Sequence, residues 1–229
     1  MSFRIVSLFV LSLSILSLPT LGKEPLKHEV TYGPATAINS YEILRKGKKI
    51  GTHTISFYDQ GDMFKVLAET DMKVKLLFIT AFKYKYISEE TWQNGELLRV
   101  ETSVNDNGKK FSTFVTRSGN SFLINAKDQE INIDDNCMTT NHWNKTTVNY
   151  DTLLNTVTGN TMPVEISVDD TDKSRFPGRG KVNIDTFYKE KGDGRGMKFD
   201  HPKGGKIEFR CIDCDNTPSF LAPQLADNS

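Results

Sequence analysis

An all-β fold, a curved antiparallel meander sheet or barrel with a short irregular crossover, is what three features of the chain predict. Polar and apolar residues alternate with period two over most of its length. Turn residues interrupt that alternation at short intervals. No helix-period segment separates the alternating runs, which excludes an α/β arrangement.

The chain starts with a different kind of segment. Met1-Ser2-Phe3-Arg4 precedes an apolar run from Ile5 to Leu18, then Pro19-Thr20-Leu21-Gly22. A short positive start, an apolar middle and a small residue before a polar continuation describe a secretory signal peptide. The run is too short and too rich in serine for a membrane span. The expectation is cleavage near Gly22, a mature start at Lys23, and a periplasmic or secreted protein of 207 residues, enough for one all-β domain. The division expected is a signal peptide over 1–22, a lead segment over 23–38, one β-rich domain over 39–217 and a flexible tail over 218–229.

Asn39 to Lys46 reads as a first strand ended by Gly47-Lys48, and Ile50 to Gln60 as a second ended by Gly61-Asp62. In the third, Phe64, Val66, Ala68, Thr70, Met72 and Val74 alternate with a mostly wetted set, as in a sheet packed on one side. Leu76 to Ala81 is apolar on both faces. Phe82, Tyr84 and Tyr86 then alternate with Lys83 and Lys85 and lead toward Trp92. Asn94-Gly95 is the strongest hairpin signal, because a type I′ turn needs positive φ at both central residues. Glu96 to Asn105 follows, and Asp106-Asn107-Gly108 returns the chain into Lys109 to Arg117. Short strands are expected at 121–125 and 129–133.

From Asp134 to Gly159 the alternation stops, and Tyr150 to Val157 reads as a helical turn or crossover. Val164, Ile166 and Val168 resume it. A polar, glycine-containing loop is expected over 169–180, then a strand within 181–189, and a final hairpin of 196–200 with 206–212.

This layout resembles a broad group of exported bacterial β-proteins of uncharacterised function. Tyr41-Glu42-Ile43-Leu44-Arg45-Lys46-Gly47-Lys48-Lys49-Ile50-Gly51, the Trp92-Gln93-Asn94-Gly95-Glu96-Leu97 hairpin and the later Trp143-Asn144 crossover carry the resemblance. The chain is also distantly similar, in fold only, to the half-barrels of lipoprotein carriers. That similarity implies an acyl chain held in a concave apolar cavity.

The composition excludes several partners. One of the 29 basic residues, Arg4, lies in the leader, leaving 28 against 29 acidic. Such a balance supplies no long-range field for nucleic acid or anionic lipid surfaces. No second apolar run reaches membrane-spanning length. Three cysteines are too few for a disulfide scaffold, so a core must hold the fold.

Reactive groups are sparse. Cys211-Ile212-Asp213-Cys214 has dithiol spacing but follows a strand and precedes no helix, so a structural disulfide between Cys211 and Cys214, or a longer bridge from Cys137, is expected over a redox site. Adding Cys137 and His142 gives a set chemically suited to zinc, but its halves lie far apart in sequence. His28, His53, His142 and His201 have no metal-protease spacing, and there is no Gly-x-Ser-x-Gly elbow. Gly192 to Gly196 lacks the dinucleotide spacing, and the acidic runs at 134–135 and 169–172 lack the calcium-loop pattern. No catalytic residue, metal or cofactor is therefore assigned.

Two functions remain in front. One is a binder or carrier of a lipid or other apolar small molecule, with Phe64, Val66, Met72, Phe82, Tyr84, Tyr86 and Trp92 lining the concave face. The other is an envelope interaction module with a filled core. An enzyme built around Cys137, His142 and the Cys211/Cys214 pair comes third.

Overall fold

Most strands bury one side of their pleat, and the computed structural model joins all fifteen described strands in one sheet. It describes residues 32–76, 79–127, 129–189, 194–201 and 205–214. The expected signal peptide, the cleavage point and the tail after Pro218 lie outside these residues.

The first eight strands form an up-and-down meander. They are β1 (Ala37–Arg45), β2 (Lys48–Asp59), β3 (Met63–Leu76), β4 (Ile79–Gln93), β5 (Glu96–Asp106), β6 (Lys109–Ser118), β7 (Ser121–Ala126) and β8 (Gln129–Asp134). Then come β9 (Met138–Thr139), a 3₁₀ turn over Lys145–Asn149, β10 (Thr152–Leu154), β11 (Thr161–Ile166), β12 (Arg175–Gly180), β13 (Ile184–Tyr188), β14 (Gly194–His201) and β15 (Gly205–Asp213). No α-helix occurs among the described residues.

The sheet order is β8-β7-β6-β5-β4-β3-β2-β1-β15-β14-β13-β12-β11-β10-β9. The pairing of β1 with β15 joins the two ends of the chain, so the order runs once round a ring. The hydrogen-bonded ladder stays open only between β8 and β9, which are three residues apart in sequence. Joining β1 to β15 removes what would otherwise be two exposed edges.

Turn chemistry sets the registers. Lys46-Gly47, Asn94-Gly95 and Asn107-Gly108 all take positive φ at both positions, the condition for tight turns that follow the sheet twist. Registers then place Phe64 opposite Trp92, Thr70 opposite Tyr86, Met72 opposite Tyr84 and Val74 opposite Phe82. The alternating residues expected to share a face do share it.

Two segments differ from the sequence expectation. Residues 175–180 are strand rather than loop. Gly178 and Gly180 sit on that strand because neighbouring backbone comes close; a Cβ at 180 would meet the Pro163 carbonyl oxygen at 2.6 Å. Glycine used for close approach looks, in sequence, the same as glycine used for a turn. Residues 150–157 belong to the crossover, and the helical turn falls before them at 145–149, capped by the Asn144 side chain, which accepts from the Thr146 amide at 2.9 Å.

Candidate functional site

The crossover between β8 and β11 packs on the inner face, where Thr139, Asn141 and Trp143 meet β4. Its anchor is Glu90. On β4 the inward phase is Tyr86, Ser88, Glu90, Trp92, so a carboxyl is placed where alternation demands an apolar side chain. Its partners on the adjacent strands are Val66 and Val100, and all three residues are completely buried. Both cross-strand partners are apolar, so three of the four donors come from the crossover and the fourth, Trp92, from β4 itself.

Four donors converge on it. The indoles of Trp92 and Trp143 donate to Oε2 at 3.0 and 2.7 Å. The Thr139 hydroxyl and the Asn141 amide donate to Oε1, each at 2.6 Å. Among the described residues no cation takes part. A carboxylate is acceptor-only and its lone pairs suit this set of donors. Both tryptophans therefore bury their rings without leaving an N–H unpaired.

The polar network continues along the face. The Tyr86 hydroxyl donates to Asn141 Oδ1 at 2.5 Å and meets the Thr156 hydroxyl at 2.8 Å. Burial first of all pushes the Tyr86 phenol up to about 12. Ser88 and Thr102 join at 3.0 Å. Around this polar line Trp143 stands edge-on to Phe57, Phe64 and Trp92, with centroids 5.6, 6.1 and 5.5 Å away. Contacts of this kind contribute about 0.5–1.5 kcal/mol each beyond area burial.

Of the seven side chains expected to line a concave face, Phe64, Val66, Tyr86 and Trp92 thus lie beneath the crossover. Met72, Phe82 and Tyr84 are half-buried at the other end of the same face. Phe82 and Tyr84 stack with centroids 6.4 Å apart. Burial pushes the Tyr84 phenol well above its ordinary range. The β3 backbone comes close to Gly51: a Cβ there would meet the Asp71 carbonyl oxygen first, and Met72 Cα and Cγ at 2.9 Å.

From this open end a continuous row crosses six strands. Tyr84 pairs with Met72, Met72 with Gly51, Gly51 with Ile43, Ile43 with Phe209, and Phe209 with Met197. Five strand-to-strand steps of about 4.8 Å separate its ends. Met197 and Phe209 line a cleft of about 1050 Å³ bordered by β13, β14, β15 and the 3₁₀ turn.

The groups weighed for catalysis are dispersed. Cys211 and Cys214 are joined by a disulfide, and Cys214 is fully buried. Cys137 is free and buried, its thiol pushed up to about 11, first by burial and then by Asp135. Among the described residues no three His, Cys, Asp or Glu side chains are grouped to hold a metal. Thiol reagent added to the native protein without reductant is therefore expected to label nothing quickly. Denaturation without reductant should expose one thiol, and with reductant all three cysteines. Counting labels by mass checks this.

Two histidines are held inside. His53 Nδ1 lies 2.8 Å from the Thr70 hydroxyl, and burial lowers its pKa from 6.5 to about 4. His142 is half-buried as a residue, but both ring nitrogens are enclosed without a partner, and burial lowers it to about 4 as well. In each case the unfolded chain takes up the proton first. The stability that these groups confer is present above about pH 6.5 and is lost as pH falls toward 4, on the order of 3 kcal/mol each. Asp169 is held down to about 2, first by the Thr171 hydroxyl. Its contribution is lost in a separate window, between about 3.8 and 2. Urea midpoints between pH 7 and 4.5 should fall steadily, and His142→Phe should flatten part of that slope.

Sequence reasoning passed over Glu90. The signal was present: a carboxylate in the dry phase of a strand. Its partners Thr139, Asn141 and Trp143 lie some fifty residues away and have no pattern to reveal them.

A family model described as a domain of unknown function, DUF6134, matches residues 41–212. No curated protein matches the chain. Among solved structures, the beta-barrel-like protein of the domain of unknown function DUF1849 from Brucella abortus is similar, with a TM-score of 0.51 and 11% identity. The match covers 80% of this chain and 97% of that one, and at this identity the likeness is one of fold.

Proposed function

We propose, for a chain that belongs to the DUF6134 family of domains of unknown function, a non-catalytic role outside the cytoplasm: binding an apolar, acyl-type molecule on the open half of its inner face. One observation carries this reading. The crossover covers the part around Glu90 and reaches β6, β7 and β13 through Val157, Gly159 and His142, whereas Met72, Phe82 and Tyr84 stay half-buried. The row from Tyr84 and Met72 crosses the fully buried Ile43 and ends at Phe209 and Met197, which line the large cleft. The half-buried state of Met72, Phe82 and Tyr84 supports the same reading. The tripartite start of the chain supports export.

The filled half around Trp143 favours a second reading, an envelope interaction module whose inner face is only core. An environment-sensitive fatty-acid probe separates the two. Wild type is expected to enhance its emission on binding. Met72→Glu should keep the wild-type circular dichroism and lose at least tenfold in affinity. A folded wild type that never takes up the probe selects the second reading. Mass spectrometry of lipids retained by the exported protein would identify the natural ligand.

A further inference from the structure

We propose that His142 is an acid-sensitive latch: at neutral pH it holds residues 142–150 of the crossover against β10–β13, and its protonation releases that segment while the sheet stays folded. The latch does not depend on the acyl-binding reading above.

The crossover is held on two sides. Asn141 and Trp143 reach Glu90 on β4. His142, between them, takes a φ of 53° and meets a different wall. It lines a small cavity with Leu153 of β10, Val164 and Ile166 of β11, Phe176 and Gly178 of β12, and Ile184 and Thr186 of β13. The main chain is tied to the same wall. The Tyr188 phenol of β13 donates to the carbonyl oxygens of His142 and Asn144 at 3.1 and 3.4 Å.

That wall has nothing to hold a positive charge. Both ring nitrogens of His142 are enclosed without a partner. The cavity is about 10 Å³, at the lower limit for a single water, so solvent cannot follow a proton in. No carboxylate is among its described lining residues. Glu165, Arg175, Arg179 and Asp185 alternate with the lining residues and belong to the outer face. Glu90 is taken up by its four donors. Lys145 holds its ammonium over the Phe176 ring at 5.5 Å and repels a second cation. Burial keeps the Tyr188 phenol neutral. A protonated imidazole has two donors and no acceptor. The Thr186 hydroxyl, the one polar side chain facing it here, already donates to the Phe176 carbonyl oxygen at 3.2 Å.

The sign of the effect follows. Burial holds the ring at about 4 in the closed form, and in the released segment it returns to about 6.5. The open form therefore takes up the proton first. Opening is favoured as pH falls below about 6.5, roughly tenfold per pH unit, which is the range where histidine acts as a sensor. The 3₁₀ turn Lys145–Asn149 is too short to persist once undocked. Its release uncovers Thr186 and Phe176, which follow Met197 across the inner face and are now buried.

Amide hydrogen exchange of the full chain, expressed as protection factors, tests this at Thr146, Thr147 and Tyr150, whose amides bond within the segment. From pH 7.5 to pH 5 their protection is expected to fall roughly thirtyfold, and at both pH values to lie below that of β4 and β5. His142→Phe keeps a ring that cannot gain a proton, and His142→Asn tolerates the positive φ. Each should abolish the fall, whatever protection it starts from, and His53→Gln should retain it. Ring NMR of wild type needs no variant: the His142 signal should titrate below 6.5. Protection that does not fall in wild type, or that equals that of β4, overturns the latch. So does a fall that persists in either His142 variant or is lost in His53→Gln. Titration of the ring at about 6.5 with protection intact shows that water reaches it in the closed form, and also overturns the latch.

Discussion

Val66→Asp is expected to abolish the cooperative unfolding transition. Val66 has no exposed surface, and its partners in register are Phe57 on β2 and Glu90 on β4. The new carboxylate would therefore stand directly across from a carboxyl that already uses every nearby donor. Cβ atoms of directly opposed residues are about 5 Å apart, and like charges so placed repel. An uncompensated buried charge costs about 3–5 kcal/mol, and the lost valine burial adds roughly 1.5–3 kcal/mol. Together these approach the whole stability of a domain, about 5–15 kcal/mol. Val66→Ala is the control. It removes volume without adding charge and should cost roughly 2 kcal/mol, leaving a folded protein with a lower urea midpoint. Far-UV circular dichroism and urea titration of both variants decide the matter. A folded Val66→Asp would mean that this part of the face is open to water.

Glu90→Ala has the next largest expected effect, and it acts on the crossover more than on the sheet. Removing the carboxyl strands the Trp92 and Trp143 indoles, which are 2% and 6% exposed, without an acceptor. At about 1–3 kcal/mol for each unsatisfied buried donor, the two together cost about 2–6 kcal/mol. Thr139 and Asn141 also lose their partner, though the hydroxyl can rotate and the amide can turn over. Hydrogen exchange should accelerate first over residues 138–144, while β5, β6 and β7 stay protected. Glu90→Gln should be milder than Glu90→Ala. Its carbonyl oxygen can face the two indoles, and its NH₂ can face Thr139 and a turned Asn141. Turning Asn141 disturbs the bond from Tyr86, so a residual cost of about 1 kcal/mol is expected. If alanine and glutamine variants were equally stable, Glu90 would not be the anchor of the crossover.

These two residues also mark where the sequence is legible and where it stops being so. Val66 could be placed from local pattern alone, because alternation within β3 and the short turns around it determine which way its side chain points. The same reasoning located the strands from β1 to β8 to within about two residues. It failed over 175–180, where Gly178 and Gly180 serve close strand contact in place of turns. It failed again in the crossover, whose shape depends on partners distant in the chain. Thr139, Asn141 and Trp143 take their positions from a carboxyl on another strand, and nothing in their own neighbourhood specifies that. Glu90 could have been flagged as an exception to its strand, but not its four donors.

The proposed division of one inner face into a sealed half and a binding half is tested most directly by methionine methyl NMR. Met72 and Met197 lie on the open row, while Met138 is buried beside the Glu90 anchor at 5% exposure. Methyl-labelled wild type would be titrated with a fatty acid kept below its micelle-forming concentration. The expected result is a saturable shift of the Met72 and Met197 methyl signals, with that of Met138 unmoved. A shift confined to Met138, or no shift at any methionine, would contradict the account.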